Sequence, residues 1–122
     1  MILVDTSVWI DHLRSGDEIL SSLLEGNRVL MHPFVLGELA CGNLRQRREV
    51  LGLLSRLPAA TAADDPEVLV FIDRYELMGR GIGYVHAHLL ASAALSAPAT
   101  VWTRDKRLHA AAADLRLAHD AR

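Results

Sequence analysis

Residues 1–16 read MILVDTSVWIDHLRSG, and the first eight decide the fold. Ile2-Leu3-Val4 is a short apolar run with no alternation, the signature of a strand buried on both faces. Asp5-Thr6-Ser7 ends it and can cap a helix that starts near Val8 and stops near Ser15-Gly16. The same grammar recurs twice. Val29-Leu30-Met31 is followed by His32-Pro33, with proline in the first turn of a helix. Thr100-Val101-Trp102-Thr103 is followed by Arg104-Asp105 as its turn and by a helix over 106–115.

The segments between these units read as helices. Asp17 caps one over 18–25, with Gly26-Asn27 as its stop. Residues 45–57 form another, with Val50, Leu53, Leu54 and Leu57 on one buried face. Residues 58–63 are ambiguous and are compatible with a short strand. Asp64-Asp65-Pro66-Glu67 opens a helix that runs to about Met78, its acids at the positive end of the helix dipole. Gly79, Gly81 and Gly83 break it, and residues 84–96 form a small-residue helix suited to burial. Strands alternating with helices predict an α/β domain with a mainly parallel central sheet and helices on both faces.

Composition bounds the rest. A chain of 122 residues is expected to be one domain spanning 1–122. At 51% hydrophobic and 23% charged residues, a packed core is expected and disorder is not. The single cysteine, Cys41, allows no intrachain disulfide and no cysteine-based zinc site. The N-terminus has no basic region and Asp5 interrupts its apolar run, so it is not read as a signal peptide. No run of about 18 uncharged apolar residues marks a membrane span. These features predict a cytoplasmic protein without membrane contact. A net charge of −2 is not the profile of an avid nucleic-acid binder. The cations are nevertheless clustered, in Arg45, Arg47 and Arg48 and again in Arg104, Lys106 and Arg107. A solvated face and a nucleic-acid contact both fit such clusters. No Gly-x-Ser-x-Gly elbow and no phosphate-binding loop is present.

Three acids share one topological position. Asp5 and Asp105 each follow a strand, and Glu38 lies about one turn into the helix after the second strand. In a parallel sheet all three face the crevice beyond the carboxyl ends of the strands. Carboxylates brought together raise one another's pKa, and a cation relieves the repulsion. Hard oxygen ligands suit Mg²⁺ or Mn²⁺, and the matching chemistry is hydrolysis of a phosphodiester by metal-activated water. Taken singly, Asp5 and Asp105 are equally good helix caps and Glu38 an ordinary solvated residue.

The residues also resemble a known family. MILVDTSVWIDHLR, PFVLGELACG at 33–42 and VWTRDKRL at 101–108 are similar to the motifs of PIN-domain toxins of the VapC type. The likeness covers essentially the whole chain. It implies a PIN-like three-layer α/β/α domain and the toxin half of a type II toxin–antitoxin pair, a divalent-metal-dependent endoribonuclease using Mg²⁺ or Mn²⁺. Asp5, Glu38 and Asp105 take the family's catalytic and metal-site positions. Ser7 and Thr103 are neighbouring hydroxyls that could hold a water or a phosphate oxygen, and Arg104, with Lys106 and Arg107 beside it, is a candidate contact to the RNA substrate by position. The resemblance further implies a VapB-type antitoxin as partner and a homodimer. Trp9, Ile10, Leu13, Leu20, Leu23 and Leu24 are candidates for the antitoxin groove, or for the chain's own core.

One position departs from the family pattern. The segment GIGYVHAHLLASA, 81–93, resembles the helix that ordinarily opens on a third acid, and here that position is His86. An imidazole could ligate a softer metal such as Mn²⁺. The alternatives are a catalytically impaired protein that binds antitoxin or RNA without cutting, a change introduced to silence toxicity, and a plain helix cap. His88 is read as a packing or surface histidine, since two residues' separation puts it on another helix face.

Overall fold

The computed structural model describes residues 1–120; the last two residues of the expected 1–122 domain lie outside it. The three apolar runs form a parallel sheet in the order β2-β1-β3. Strand β1 is Ile2–Val4, β2 Val29–Leu30 and β3 Thr100–Trp102. Ile2 and Leu3 pair with Val29 and Leu30 on one side, and Ile2, Leu3 and Val4 with Thr100, Val101 and Trp102 on the other. All residues of β1 and β2 are buried, which is why these strands show no alternation. Single parallel bridges, Met31 with Ala59 and Val101 with Ala118, widen the sheet.

Seven helices flank the sheet among the described residues, giving a three-layer α/β/α arrangement. They are α1 (Thr6–Ser15), α2 (Glu18–Glu25), α3 (Pro33–Ala40), α4 (Arg47–Ser55), α5 (Asp65–Arg74), α6 (Tyr84–Leu95) and α7 (Lys106–Asp114). Helix α1 packs on α3, α5 on α6, and both α6 and α7 on β3. One apolar cluster links β1, β2 and β3 to Val8, Trp9, Leu20, Val35, Leu39, Leu89, Leu90 and Leu108. The alanine-rich α6 is buried over Ala87–Ala93, where small side chains let it pass close to its neighbours.

Several boundaries differ from the sequence reading. Helix α1 begins at Thr6, not near Val8, and α4 is shorter at both ends than 45–57. Helix α5 ends at Arg74, not near Met78, because Glu76 turns into the left-handed region at φ 52°. Residues 58–63 contribute one bridge at Ala59 and no strand. Leu53 is 57% exposed and does not share the core face with the buried Leu54. Of the six residues considered for a partner groove, Trp9 and Leu20 belong to the core, Ile10 is exposed, and Leu13, Leu23 and Leu24 are half-buried.

The topology also points to where a working site would lie. From β1 the chain crosses to β2 on one side and later returns to β3 on the other. In open parallel sheets the working site lies where the strand order reverses, outside the carboxyl ends. Those ends are Asp5 and the Thr103-Arg104-Asp105 turn.

Candidate active site

Asp5 continues the β1–β3 ladder by one rung, its N–H donating to the Trp102 carbonyl at 2.9 Å. Its own carbonyl accepts from Val8 and Trp9 and starts α1. Asp5 therefore occupies the N-cap position of α1, yet its side chain makes no capping hydrogen bond. The carboxylate, in a residue only 3% exposed, is turned to the crevice instead. There Oδ2 accepts the hydroxyl protons of Ser7 and Thr103, each at 2.7 Å. Such short hydroxyl–carboxylate bonds belong to the strong, charge-assisted kind.

The two hydroxyls are held in turn by the loop after β3. The Arg104 N–H donates to Ser7 Oγ at 3.1 Å, and the Asp105 N–H to Thr103 Oγ1 at 3.0 Å. Each hydroxyl has one proton, and in this arrangement Asp5 receives both. Ser7 and Thr103 thus act as orienting groups for Asp5, and only their lone pairs remain for another ligand.

Asp105 behaves differently. It caps α7, with Oδ1 accepting from the N–H groups of Arg107 and Leu108, each at 2.9 Å. The Leu108 N–H, helped by the nearby His86 and Arg107 charges, holds its carboxyl below the usual carboxylate range against an opposing effect of burial. Glu38 is exposed on α3, and its Oε1 accepts the Thr6 hydroxyl at 2.6 Å. Thr6 precedes Ser7, so consecutive residues of one turn tie Glu38 and Asp5 to the same corner. Thr6 was missed in the sequence, where a threonine beside a strand end reads as a capping residue and carries no further signal.

Among the described residues, each acid has one bonded carboxylate oxygen and one that accepts no hydrogen bond: Asp5 Oδ1, Glu38 Oε2 and Asp105 Oδ2. None of the three forms an ion pair with a lysine or arginine there. Free oxygens without a resident cation are the donor chemistry a hard divalent ion takes. The convergence expected from the sequence is looser than a cage: among the described residues no three His, Cys, Asp or Glu side chains stand close enough to enclose an ion. Mg²⁺ does not require one, since it commonly uses one or two carboxylates and completes its shell with water and phosphate. The donors present therefore fit that ion.

His86 lies in the first turn of α6, near enough to Asp105 for its charge to act on that carboxyl. Its Nδ1 is buried and has no hydrogen-bond partner. His88 is a packing residue, 2% exposed, with Nε2 at 3.1 Å from Asp65 Oδ1 and its ring against Phe34 and Tyr84. The Arg104 side chain is committed to other carboxylates. Its guanidinium pairs with Asp11 at 2.6 Å and Asp17 at 2.8 Å and lies over the Trp102 ring. The part of Arg104 that serves the crevice is its backbone N–H on Ser7.

The PIN domain family matches residues 2–114. Over 114 residues the chain is 51% identical to Ribonuclease VapC32 of Mycobacterium tuberculosis, in strains CDC 1551 / Oshkosh and ATCC 25618 / H37Rv, covering 93% of this chain and 92% of that protein. Among solved structures, FitAcB from Neisseria gonorrhoeae superposes with a TM-score of 0.62 at 21% identity, covering 93% of this chain and 94% of that one. PAE2754 from Pyrobaculum aerophilum superposes with a TM-score of 0.59 at 18% identity, covering 90% and 78%. At those identities the structural likeness speaks to the fold alone, while the family match and the 51% identity reach further. The chain belongs to the PIN-domain family, and within it to the VapC type.

Proposed function

We propose that this protein is a divalent-metal-dependent endoribonuclease, the toxin of a toxin–antitoxin pair, with Asp5 as the central ligand of its metal. The observation that carries the reading is the buried Asp5 carboxylate: two hydroxyls fix one oxygen, the other is free, and no cation is paired with it among the described residues. A buried carboxylate held by hydroxyls but without a cationic partner is costly, and a bound cation would offset that cost. A purely structural acid at this position would cap α1, and this one does not. The VapC32 relative carries the name ribonuclease, which supports RNA as the substrate.

Asp5 Oδ1, Asp105 Oδ2 and Glu38 Oε2 are the oxygens that would hold Mg²⁺ or Mn²⁺. When bound, such an ion lowers the pKa of a water nucleophile and neutralises charge on a phosphodiester. Ser7 and Thr103 fix the rotamer of Asp5, so its free oxygen points in one direction before any ion arrives. Thr6 does the same for Glu38. The partner most consistent with the family is a small antitoxin, and Ile10 with the half-buried Leu13, Leu23 and Leu24 offers it apolar surface on α1 and α2. A second copy of this chain is the other partner this reading implies.

A second reading rests on His86. An imidazole adjoins Asp105 where the family pattern has an acid, and no three ligand-type side chains enclose an ion among the described residues. Fewer negative ligands weaken cation binding, so the chain could bind RNA or antitoxin with little cleavage. Calorimetry with Mn²⁺ and Mg²⁺, followed by RNA cleavage, separates the two for the chain, Asp5→Asn, Glu38→Gln and His86→Asp. On the first reading the chain binds metal and cuts, Asp5→Asn abolishes both, and Glu38→Gln weakens both. If only His86→Asp binds and cuts, the second reading holds. If none binds metal, the acids are structural and the metal-dependent reading falls.

A further inference from the structure

The turn bearing Asp105 has three cations within four residues, Arg104, Lys106 and Arg107. Arg104 is spent on Asp11 and Asp17. Arg107 is exposed and pairs with no carboxylate among the described residues. Its side chain lies against the loop before α6. A Cβ built on Gly81 would stand 2.6 Å from both Cδ and Nη1 of Arg107 and 3.1 Å from Cζ. The Arg107 side chain therefore lies in the space a side chain at residue 81 would fill, over a backbone held at φ +80°. At its other end the Arg107 N–H is bonded to Asp105 Oδ1. The guanidinium is thus seated on the loop that leads into α6 and His86, beside the acidic crevice.

An arginine this close to an acid ordinarily pairs with it. Asp105 Oδ1 is already taken by two backbone N–H groups, and the Arg107 fork is left open to solvent. A planar guanidinium with free donors matches a phosphate in two-point contact, and a side chain already laid against backbone loses less freedom on binding. We propose that Arg107, lying over the bare backbone at Gly81, grips a backbone phosphate of the RNA strand at the acidic site. This rests on the ribonuclease reading above and assigns the substrate contact to Arg107, one of the three cations, Arg104, Lys106 and Arg107, that the sequence offered by position.

The test uses Asp5→Asn as the parent, so that RNA is held and not cut. Binding of a short fluorescein-labelled single-stranded RNA of mixed sequence is followed by anisotropy across a series of salt concentrations. Loss of one phosphate contact lowers the slope of log affinity against log salt by about 0.7 for a single strand. Arg107→Gln is expected to show that decrease with about fivefold to tenfold weaker binding. Arg107→Lys, which keeps the charge, retains the slope. In the chain with Asp5 intact, Arg107→Gln leaves Mn²⁺ affinity by calorimetry within about twofold, which a collapsed site would not. Parental affinity and slope in Arg107→Gln overturn the inference and leave the ribonuclease reading standing. If the Asp5→Asn parent shows no salt-dependent RNA binding, the RNA reading fails and the inference falls with it.

Discussion

Replacing Thr103 with Val tests whether the hydroxyl network, and not apolar packing, holds the Asp5 corner. Valine has nearly the shape of threonine, so the 8% exposed site gains no cavity, and only the hydroxyl is lost. That hydroxyl donates to Asp5 Oδ2 at 2.7 Å and accepts from the Asp105 N–H at 3.0 Å. A hydrogen bond to a charged, buried acceptor is worth about 1.5–3 kcal/mol, and the partly accessible Asp105 N–H adds about 0.5 kcal/mol because water can replace its partner. The expected loss is therefore about 2–3.5 kcal/mol. For 122 residues the unfolding entropy near the midpoint is about 0.26 kcal/mol per kelvin, so Tm should fall by about 8–13 °C. Differential scanning calorimetry in the presence of a chelator measures it without interference from bound metal. Thr103→Ser, which keeps the hydroxyl, should lose about 1 kcal/mol for the missing methyl group. A Tm for Thr103→Val within 2 °C of the parent would refute the reasoning, since the Asp5 carboxylate would then be satisfied without this donor.

Two further predictions concern other groups. Buried His32 caps α3 by accepting the Phe34 N–H at Nδ1, so its proton sits on Nε2, facing Ser92 Oγ at 3.1 Å. Burial, with a smaller contribution from the His88 charge, pushes its pKa from 6.5 to about 4. The unfolded chain therefore takes up a proton below pH 6.5 that the folded chain refuses until about pH 4, and stability falls across that window as pH drops, by on the order of 3 kcal/mol. Thermal melts between pH 7 and 4.5 should display the slope, and His32→Asn, which keeps a capping oxygen, should flatten it; an unchanged slope assigns the effect elsewhere. At Asp105, capping and proposed metal binding separate. Asp105→Asn keeps the oxygen that caps α7 and should hold stability within about 0.5 kcal/mol while RNA cleavage collapses, whereas Asp105→Ala should lose cleavage and a further 1–2 kcal/mol or so. Equal stability of the two variants by urea titration would show that the cap contributes nothing.

The local chemistry of this chain was legible in its sequence. Three short runs rich in β-formers read as buried strands, and their alternation with helical segments pointed to a mainly parallel sheet with helices as crossovers. Asp17 and the Asp64–Glu67 pair announced their caps, because a capping bond is made within a few residues of chain. The same strand–turn–helix grammar put Asp5, Glu38 and Asp105 at corresponding places after the strands, but did not say how closely their side chains approach. What the sequence did not contain was the identity of each side chain's partner. Asp5 and Asp105 read alike as strand-end caps, yet one turns to Thr103, 98 residues away, and the other caps its own helix. Arg104 and Arg107 read alike as cations near an acid, yet Asp11 and Asp17 claim the first and the bare backbone at Gly81 seats the second. Local hydrogen bonding is written in residue order; which of two equivalent groups wins a distant partner is decided only when the folded chain brings those partners within about 3 Å.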